Sequence, residues 1–253
     1  MPVSTGIWIA CALSNHACVP NTIRSFIGTH QIVRSTCRIP KDAQIHNQYI
    51  KPEADLDSRQ EAFRGGWGFD CDCWLCTGES ASPLPIRQKR NAVFEQIRKE
   101  AMDNSKPGKM VSASMVRKVE KMTRQLELLF EPDVFEKLPR LLLVQPSLWL
   151  TEQCLARKEY LKMQKHALAT MRSFGFMDPL WDENKRLKFD NALVNIESVR
   201  LMHYASEAYG HLGNVEMQNR FKEEARLGFL MITGSDTGRE NLETILSAPI
   251  NRR

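Results

Sequence analysis

Residues 71–76 read Cys71-Asp72-Cys73-Trp74-Leu75-Cys76, and some fifty residues earlier residues 15–21 read Asn15-His16-Ala17-Cys18-Val19-Pro20-Asn21. Three cysteines in so short a run are too close for a set of mutual disulfides. They are well spaced to wrap one soft cation. A tetrahedral zinc site takes four nitrogen or sulfur donors at about 2.0–2.3 Å, so Cys71, Cys73 and Cys76 leave one position to be filled from elsewhere. Cys18 is a candidate. On chemistry alone His16, His46, Cys11 and Cys37 compete with it. Whichever residue binds, the ion staples two distant segments together.

The first segment resembles the N-H-S-C-x-P-N motif of SET-domain protein-lysine methyltransferases, with Ala17 in place of the usual Ser. Arg38-Ile39-Pro40-Lys41-Asp42-Ala43-Gln44-Ile45-His46-Asn47-Gln48-Tyr49-Ile50 is similar to the family's I-x-x-G-E-E-L-x-x-x-Y-I. Phe69-Asp70-Cys71-Asp72-Cys73-Trp74-Leu75-Cys76 is similar to its post-SET F-x-C-x-C-x-x-C. Order and spacing resemble the SMYD-like subgroup most, closely over residues 5–77 and only in general style beyond.

The resemblance implies a set of roles. Asn15 and His16 would contact S-adenosylmethionine, and Phe69 would stack on its adenine. Tyr49 would stand beside the methyl-transfer channel. Cys18, Cys71, Cys73 and Cys76 would hold a structural Zn2+. The substrate would be a lysine of a protein or peptide, whose neutral amine is placed along the methyl–sulfur axis.

The departures from the pattern are specific. The sequence opens at Met1 shortly before the Asn-His-x-Cys motif, without the family's Gly-rich cofactor segment. The reading therefore expects the C-terminal half of a SET domain, N-terminally truncated and impaired in catalysis by itself. Asp42-Ala43-Gln44 replaces Gly-Glu-Glu, so Asp42 takes a turn position that suits Gly. Two functions follow as expectations. One is an S-adenosylmethionine-dependent protein-lysine methyltransferase or a truncated relative of one. The other is a non-catalytic, zinc-stapled interaction scaffold. A RING-type module would need two metals and about eight ligands, which the cysteine run does not supply.

Bulk composition narrows the class. The chain has 253 residues, 42% hydrophobic and 26% charged, with a formal net charge of +5, ordinary values for a globular protein with a sizeable core. A sequence pI near 8.8 is too mild to argue for nucleic acid, and direct nucleic-acid binding is not expected. No stretch approaches the roughly 20 apolar residues of a membrane span, so no membrane partner is expected. Seven cysteines, odd in number and clustered, favour metal over disulfides and hence a reducing compartment, cytoplasmic and/or nuclear. The apolar run Gly6-Ile7-Trp8-Ile9-Ala10-Cys11-Ala12-Leu13 lacks the charged start of a secretory signal and reads as a buried strand.

The expected fold class is α+β: a small β-rich partial SET and post-SET zinc region over residues 1–78, a linker at 79–84, and an all-α, TPR-like antiparallel helical domain over 85–253. Ile23 to Phe26 and Gln31 to Ser35 flank Gly28-Thr29-His30 as a hairpin. Ile45 to Ile50 reads as another short strand. Beyond the linker the periodicity turns helical. Ile86, Val93, Phe94, Ile97 and Ala101 share one face, with Arg87 to Arg90 read as a solvated helix start. Residues 104–108 break the chain. Met115, Val119, Met122, Leu126 and Leu129 form a second stripe, ended by Glu131-Pro132-Asp133. Further helices are predicted near 134–143, 147–161 with Ser147 as N-cap, 163–174, 190–211, 215–231 and 238–246. Tyr209, Gly213 and Ala225 are spaced as in a tetratricopeptide helix pair, with Gln218 where such a repeat usually has Ala. Cys154 reads as core.

Overall fold

A computed structural model of the chain describes residues 6–52, 54–102, 110–176, 181–182, 186–188 and 191–234. The expected break at 104–108 and the helix at 238–246 lie outside the described residues.

The β structure is small. Strand β1 (Asn15–His16) pairs in parallel with β4 (His46–Asn47), Asn15 facing His46 and His16 facing Asn47. Strands β2 (Thr22–Ile27) and β3 (His30–Ser35) form an antiparallel hairpin in the predicted place. Its two-residue loop puts Gly28 first, at φ +58°, where a side chain would be strained. Of the strand read at 45–50, only His46 and Asn47 are extended.

Residues 6–13 overturn the buried-strand expectation. They hold a one-turn helix, α1 (Ile9–Ala12), that buries nothing. Ile7, Ile9 and Leu13 are 88%, 75% and 80% exposed. Two residues tie the segment down: Trp8 lies edge-on to Phe26 at 4.9 Å with its indole N–H donating to the Thr29 carbonyl at 3.0 Å, and Cys11 Sγ accepts from the Asn47 side-chain amide at 3.2 Å. An apolar run becomes a strand only where a ladder partner exists, and the described residues offer none here.

Helices follow, each started and stopped by local chemistry. Helix α2 (Leu56–Trp67) begins at Asp55, whose carboxylate accepts the Ser58 N–H, and ends at Gly68 in the left-handed conformation. Helix α3 (Trp74–Ser80) starts inside the cysteine run, and α4 (Leu84–Ile97) passes into a π-helical turn at Arg98–Met102. Helix α5 (Ala113–Glu127) is capped by Ser112 and ends before the predicted Glu131-Pro132-Asp133 stop. Pro132 instead opens a short helix, α6 (Pro132–Phe135), as Pro does at a first helical position.

No helix runs through 134–143. A 3-10 turn, Leu141–Leu143, leads into α7 (Val144–Ala156). Ser147 is therefore inside a helix and buried, not an N-cap. Pro146 is tolerated because the first turn needs no N–H. Helices α8 (Tyr160–Ser173), α9 (Ile196–His211) and α10 (Val215–Thr233) complete the described chain. Asn195 and Ser198 form a reciprocal capping box on α9, and Asn214 caps α10.

Successive helices pack on their neighbours: α7 on α8, α8 on α9, α9 on α10. Tyr209 stacks on Phe221 at 5.6 Å between centroids. Gln218 lies over Gly210, which has no Cβ to obstruct it. One apolar cluster runs from Cys18, Val19, Phe63 and Leu75 through Leu141, Val144 and Leu148 to Val199, Phe221 and Phe229. A second surrounds Ile97, Val119, Leu126, Phe135 and Trp149, and Met115 and Met122 pack against it as predicted for core methionines. Cys154 is buried, also as predicted. The hairpin docks on α10, where Arg34 donates to the Ile232 carbonyl at 3.3 Å.

The run Arg87 to Arg90, read as solvated, is so only in part: Gln88 and Lys89 are exposed, but both arginines are engaged. Arg87 grips Asp57 with two hydrogen bonds of 2.9 and 3.0 Å. Arg90 is buried between the rings of Phe130 and Phe135, 4.8 and 4.9 Å from their centroids. The periodicity had no way to show that two aromatic rings wait for this guanidinium.

Two glycines give opposite predictions. Gly175 sits at φ +100°, and a Cβ there would lie 2.6 Å from the Asn191 carbonyl oxygen. Gly175→Ala should destabilise the fold by about 1–3 kcal/mol. Gly65 is in α2 with open space around it, so Gly65→Ala should stabilise by roughly 0.5–1 kcal/mol. Urea unfolding of both variants checks the pair. A third prediction concerns His166, whose pKa burial pushes down, with Lys165 and Lys162 adding to the effect and Glu120 opposing it. The unfolded chain takes its proton near pH about 6.5, the folded chain only below that. Stability from this group is whole above about 6.5 and is lost as pH falls through the lower folded value. Unfolding midpoints should fall over that window and fall less in His166→Gln.

Candidate metal centre

Cys18 follows β1, where pairing to β4 sets the segment's direction. The Ala17 N–H donates to the Asn47 carbonyl at 3.1 Å. Thr22 is buried and donates to the Asn47 side chain at 3.0 Å and to the His46 carbonyl at 2.7 Å. Asn21 closes the loop by donating to the Gln44 carbonyl and accepting the His46 N–H, at 2.8 and 2.9 Å. The turn between is made by Asp42, which adopts φ +64°. Asp takes the left-handed conformation more readily than most side chains, so the positive φ survives the replacement of Gly.

The other three sulfurs come from the run that enters α3. Helix α2 supports it. Gln60 accepts the Cys71 N–H at 2.8 Å and donates to the Cys71 carbonyl at 2.7 Å. Phe63, one turn along the same helix face, is fully buried beneath the site. Leu75 is buried too, and the Thr77 hydroxyl donates to the Asp72 carbonyl at 3.0 Å.

Together these segments bring the Sγ atoms of Cys18, Cys71, Cys73 and Cys76 within 4.8 Å of one another, with Cys18 and Cys76 at 3.5 Å. Four sulfurs at tetrahedral Zn–S distances would be about 3.8 Å apart, so the donor set suits one such ion in chemistry and in size. Among the candidates for the fourth donor, the fold brings in Cys18. As free thiols the four perturb one another: hydrogen bonding to its neighbours pushes Cys18 up, while hydrogen bonding first to Cys18 pulls Cys71 down and takes Cys73 down to about 6.

His16 joins this cluster to a group of aromatic rings. Its Nδ1 accepts the Tyr49 N–H at 3.1 Å, and its Nε2 lies 3.4 Å from Cys18 Sγ. A neutral imidazole that accepts at Nδ1 carries its proton on Nε2. That proton faces the sulfur. The ring packs 4.4 Å from Phe63 and 5.2 Å from Tyr49. Phe63 in turn stacks on Phe69 at 5.2 Å, and Tyr49 meets Trp67 at 5.5 Å. The Tyr49 hydroxyl donates to the Ser14 carbonyl at 2.7 Å.

The residues singled out in the sequence therefore converge. His16 is buried and Tyr49 and Phe69 are half-buried in one aromatic cluster around Phe63, while Asn15 is exposed on β1, paired with His46. Three residues were missed. Phe63 and Gln60 lie in a stretch read as β-leaning, where α2 forms instead. Arg59 sits beside Cys76 and is sealed from solvent. A cavity of about 210 Å³ on the Cys73 side is lined by His16, Asn21, Cys37, His46, Asp72 and Trp74, among others, and reaches Asn191 and Ala192. Tyr49 and Phe69 are not in its wall.

No family model matches the chain. Curated relatives match part of it. A methyltransferase of Gibberella zeae is 37% identical over 98 residues, covering 38% of this chain and 13% of its own length. N-lysine methyltransferase SMYD2-A of Danio rerio is 38% identical over 80 residues, 31% of this chain and 18% of the relative. Histone-lysine N-methyltransferase SET5 of Yarrowia lipolytica is 31% identical over 96 residues, 36% of this chain and 22% of the relative. The match thus spans between about an eighth and a quarter of these relatives' lengths. With the four-sulfur cluster and the Asn-His-x-Cys loop in place, the chain is SET/SMYD-like, over about a third of its length.

Proposed function

We propose that this chain belongs to the protein-lysine methyltransferase type and contributes the Tyr49 side and the adenine side of an S-adenosylmethionine site, stapled by one structural zinc. The carrying observation is the path Cys18–His16–Tyr49, which links the sulfur cluster to the tyrosine through two contacts. Cys18, Cys71, Cys73 and Cys76 would hold the zinc. Asn15, His16 and Phe69 would contact the cofactor, which when bound supplies an electrophilic sulfonium methyl group. The substrate would be a lysine of a protein or peptide. A reducing compartment, cytoplasmic or nuclear, suits four free thiolates.

What these residues do follows from their packing. Phe69 is half-buried and its ring is held by stacking on Phe63 at 5.2 Å, so the orientation of that ring is already set. Asn15, exposed on β1, offers an amide donor and acceptor. Tyr49 keeps acceptor capacity at its oxygen while its proton is held by Ser14, so it can accept from an ammonium or amine N–H and orient it. Reaction by in-line displacement depends on such placement more than on acid or base strength.

Two observations favour a second reading. The Tyr49 hydroxyl proton is committed to a backbone carbonyl, and the cavity beside Cys73 excludes Tyr49. Both suit a zinc-stapled scaffold whose TPR-like helices bind a partner peptide without catalysis.

Titration calorimetry separates the two. On the methyltransferase reading, S-adenosylmethionine binds the zinc-loaded chain saturably, and binding is lost in Asn15→Ala and Phe69→Ala. No heat well above micromolar cofactor concentrations would leave the scaffold reading. The staple has its own test. Elemental analysis should give one zinc per chain, and a chelator should lower the melting temperature, because binding energy at such a site is folding energy. A chain that melts identically with and without chelator would carry no structural zinc.

A further inference from the structure

Arg59 is 1% exposed, yet it is charged and lies on the helix face that supports the sulfur cluster. Its Nη1 donates to the Ala54 carbonyl at 2.6 Å and to the Pro52 carbonyl at 3.4 Å. Its Nη2 donates to the buried Glu79 carboxylate and to Cys76 Sγ, the latter at 3.6 Å. Burial works against the charge, but Glu79 and the sulfurs of Cys18 and Cys76 hold the guanidinium's pKa above its ordinary value. The group is thus a fork with one prong on loop carbonyls and the other shared between a carboxylate and a ligand sulfur. A lysine could not span these partners at once, since only the planar guanidinium presents five fixed donors.

Four thiolates around a divalent cation leave two negative charges in excess. Such a site, closed on itself and buried, needs N–H donors on its sulfurs to spread that charge, and these outer donors tune both ligand position and metal affinity. We propose that Arg59 is a positioning residue of the four-cysteine site, acting through Cys76: its guanidinium donates to the Cys76 thiolate, tethers that ligand to the Pro52–Ala54 backbone and to Glu79, and damps the sulfur's nucleophilicity. This rests on the zinc reading of the four sulfurs. Glu79 accepts from the same Nη2, which has a hydrogen for each partner, and its negative charge offsets part of the guanidinium's charge at the sulfur.

The test uses the full zinc-loaded chain. Zinc affinity is measured by competition with a chromophoric chelator, and the alkylation rate of each cysteine by iodoacetamide is followed by peptide mass spectrometry. Arg59→Met should lower zinc affinity by roughly 10- to 100-fold and accelerate alkylation at Cys76 ahead of the other three sulfurs. Arg59→Lys should restore part of both effects. Unchanged affinity, or an equal acceleration at all four cysteines, would overturn the assignment, since a merely structural residue loosens the site evenly. Should Arg59→Met not fold, Glu79→Gln serves. It keeps the guanidinium and removes the competing charge, so Cys76 should alkylate more slowly than in the wild type, and an equal or faster rate would refute the role. Failure of the zinc reading looks different: the unaltered chain would then take up no zinc.

Discussion

Bringing Cys18 against Cys76 closes a loop of 58 residues, and the N-terminal third of the chain depends on that closure. Its own sheet structure is too small to stand alone. Strands β1 and β4 pair over two residues each, and the hairpin leans on α10 and, through Thr22, on β4. A two-stranded pair is marginal in water, so the folding energy here must come from elsewhere. The apolar layer of Phe63, Val19, Leu56 and Leu75 is one source, and a metal held by the four sulfurs would be another.

That layer has no boundary at the end of the cysteine run. It continues into Leu141, Val144 and Leu148 of the helical region within one cluster. Polar links run the same way. Ser82, fully buried, donates to Glu131 at 3.0 Å, and Arg87 ties α4 back to Asp57 on α2. At the far end Arg34 reaches the last turn of α10. The left-handed Gly234 lets that arginine lie close, since any Cβ there would collide with its guanidinium. The site-bearing segments are therefore braced by helices on two sides, with α2 as the element that addresses both sulfurs and rings.

Much of this was legible in the residues. The spacing of Cys71, Cys73 and Cys76 points to a metal from local chemistry, and the hairpin follows from Gly28 between two extended runs. The stripe Met115 to Leu126 has a period that only a helix satisfies. Other features were illegible for a common reason: each depends on a partner far away in sequence. Residues 6–13 read as a strand because the run is apolar, but without a ladder partner they form a short turn held at Trp8 and Cys11. Arg90 reads as solvated because arginine usually is, but Phe130 and Phe135 enclose it. Ser147 reads as a cap because Pro146 precedes it, but the 3-10 turn before them starts the helix earlier.

By itself the sequence determined the type of chemistry available: three thiols on one short loop, an Asn-His pair just before a fourth, and a tyrosine and a phenylalanine at matching intervals. Those are properties of residue identity and local spacing. On chemistry alone Cys11, Cys37, His16 and His46 have the same right to the fourth place as Cys18, and only the tertiary structure brings the Cys18 sulfur to the other three. It also decided that His16 turns its Nε2 toward a sulfur and its Nδ1 toward Tyr49, and that Arg59 is spent on Cys76 and Glu79. Such assignments need distances between groups tens of residues apart. Those distances are fixed by the burial of Phe63 and Leu75 and the pairing of β1 with β4, and no pattern along the chain encodes them.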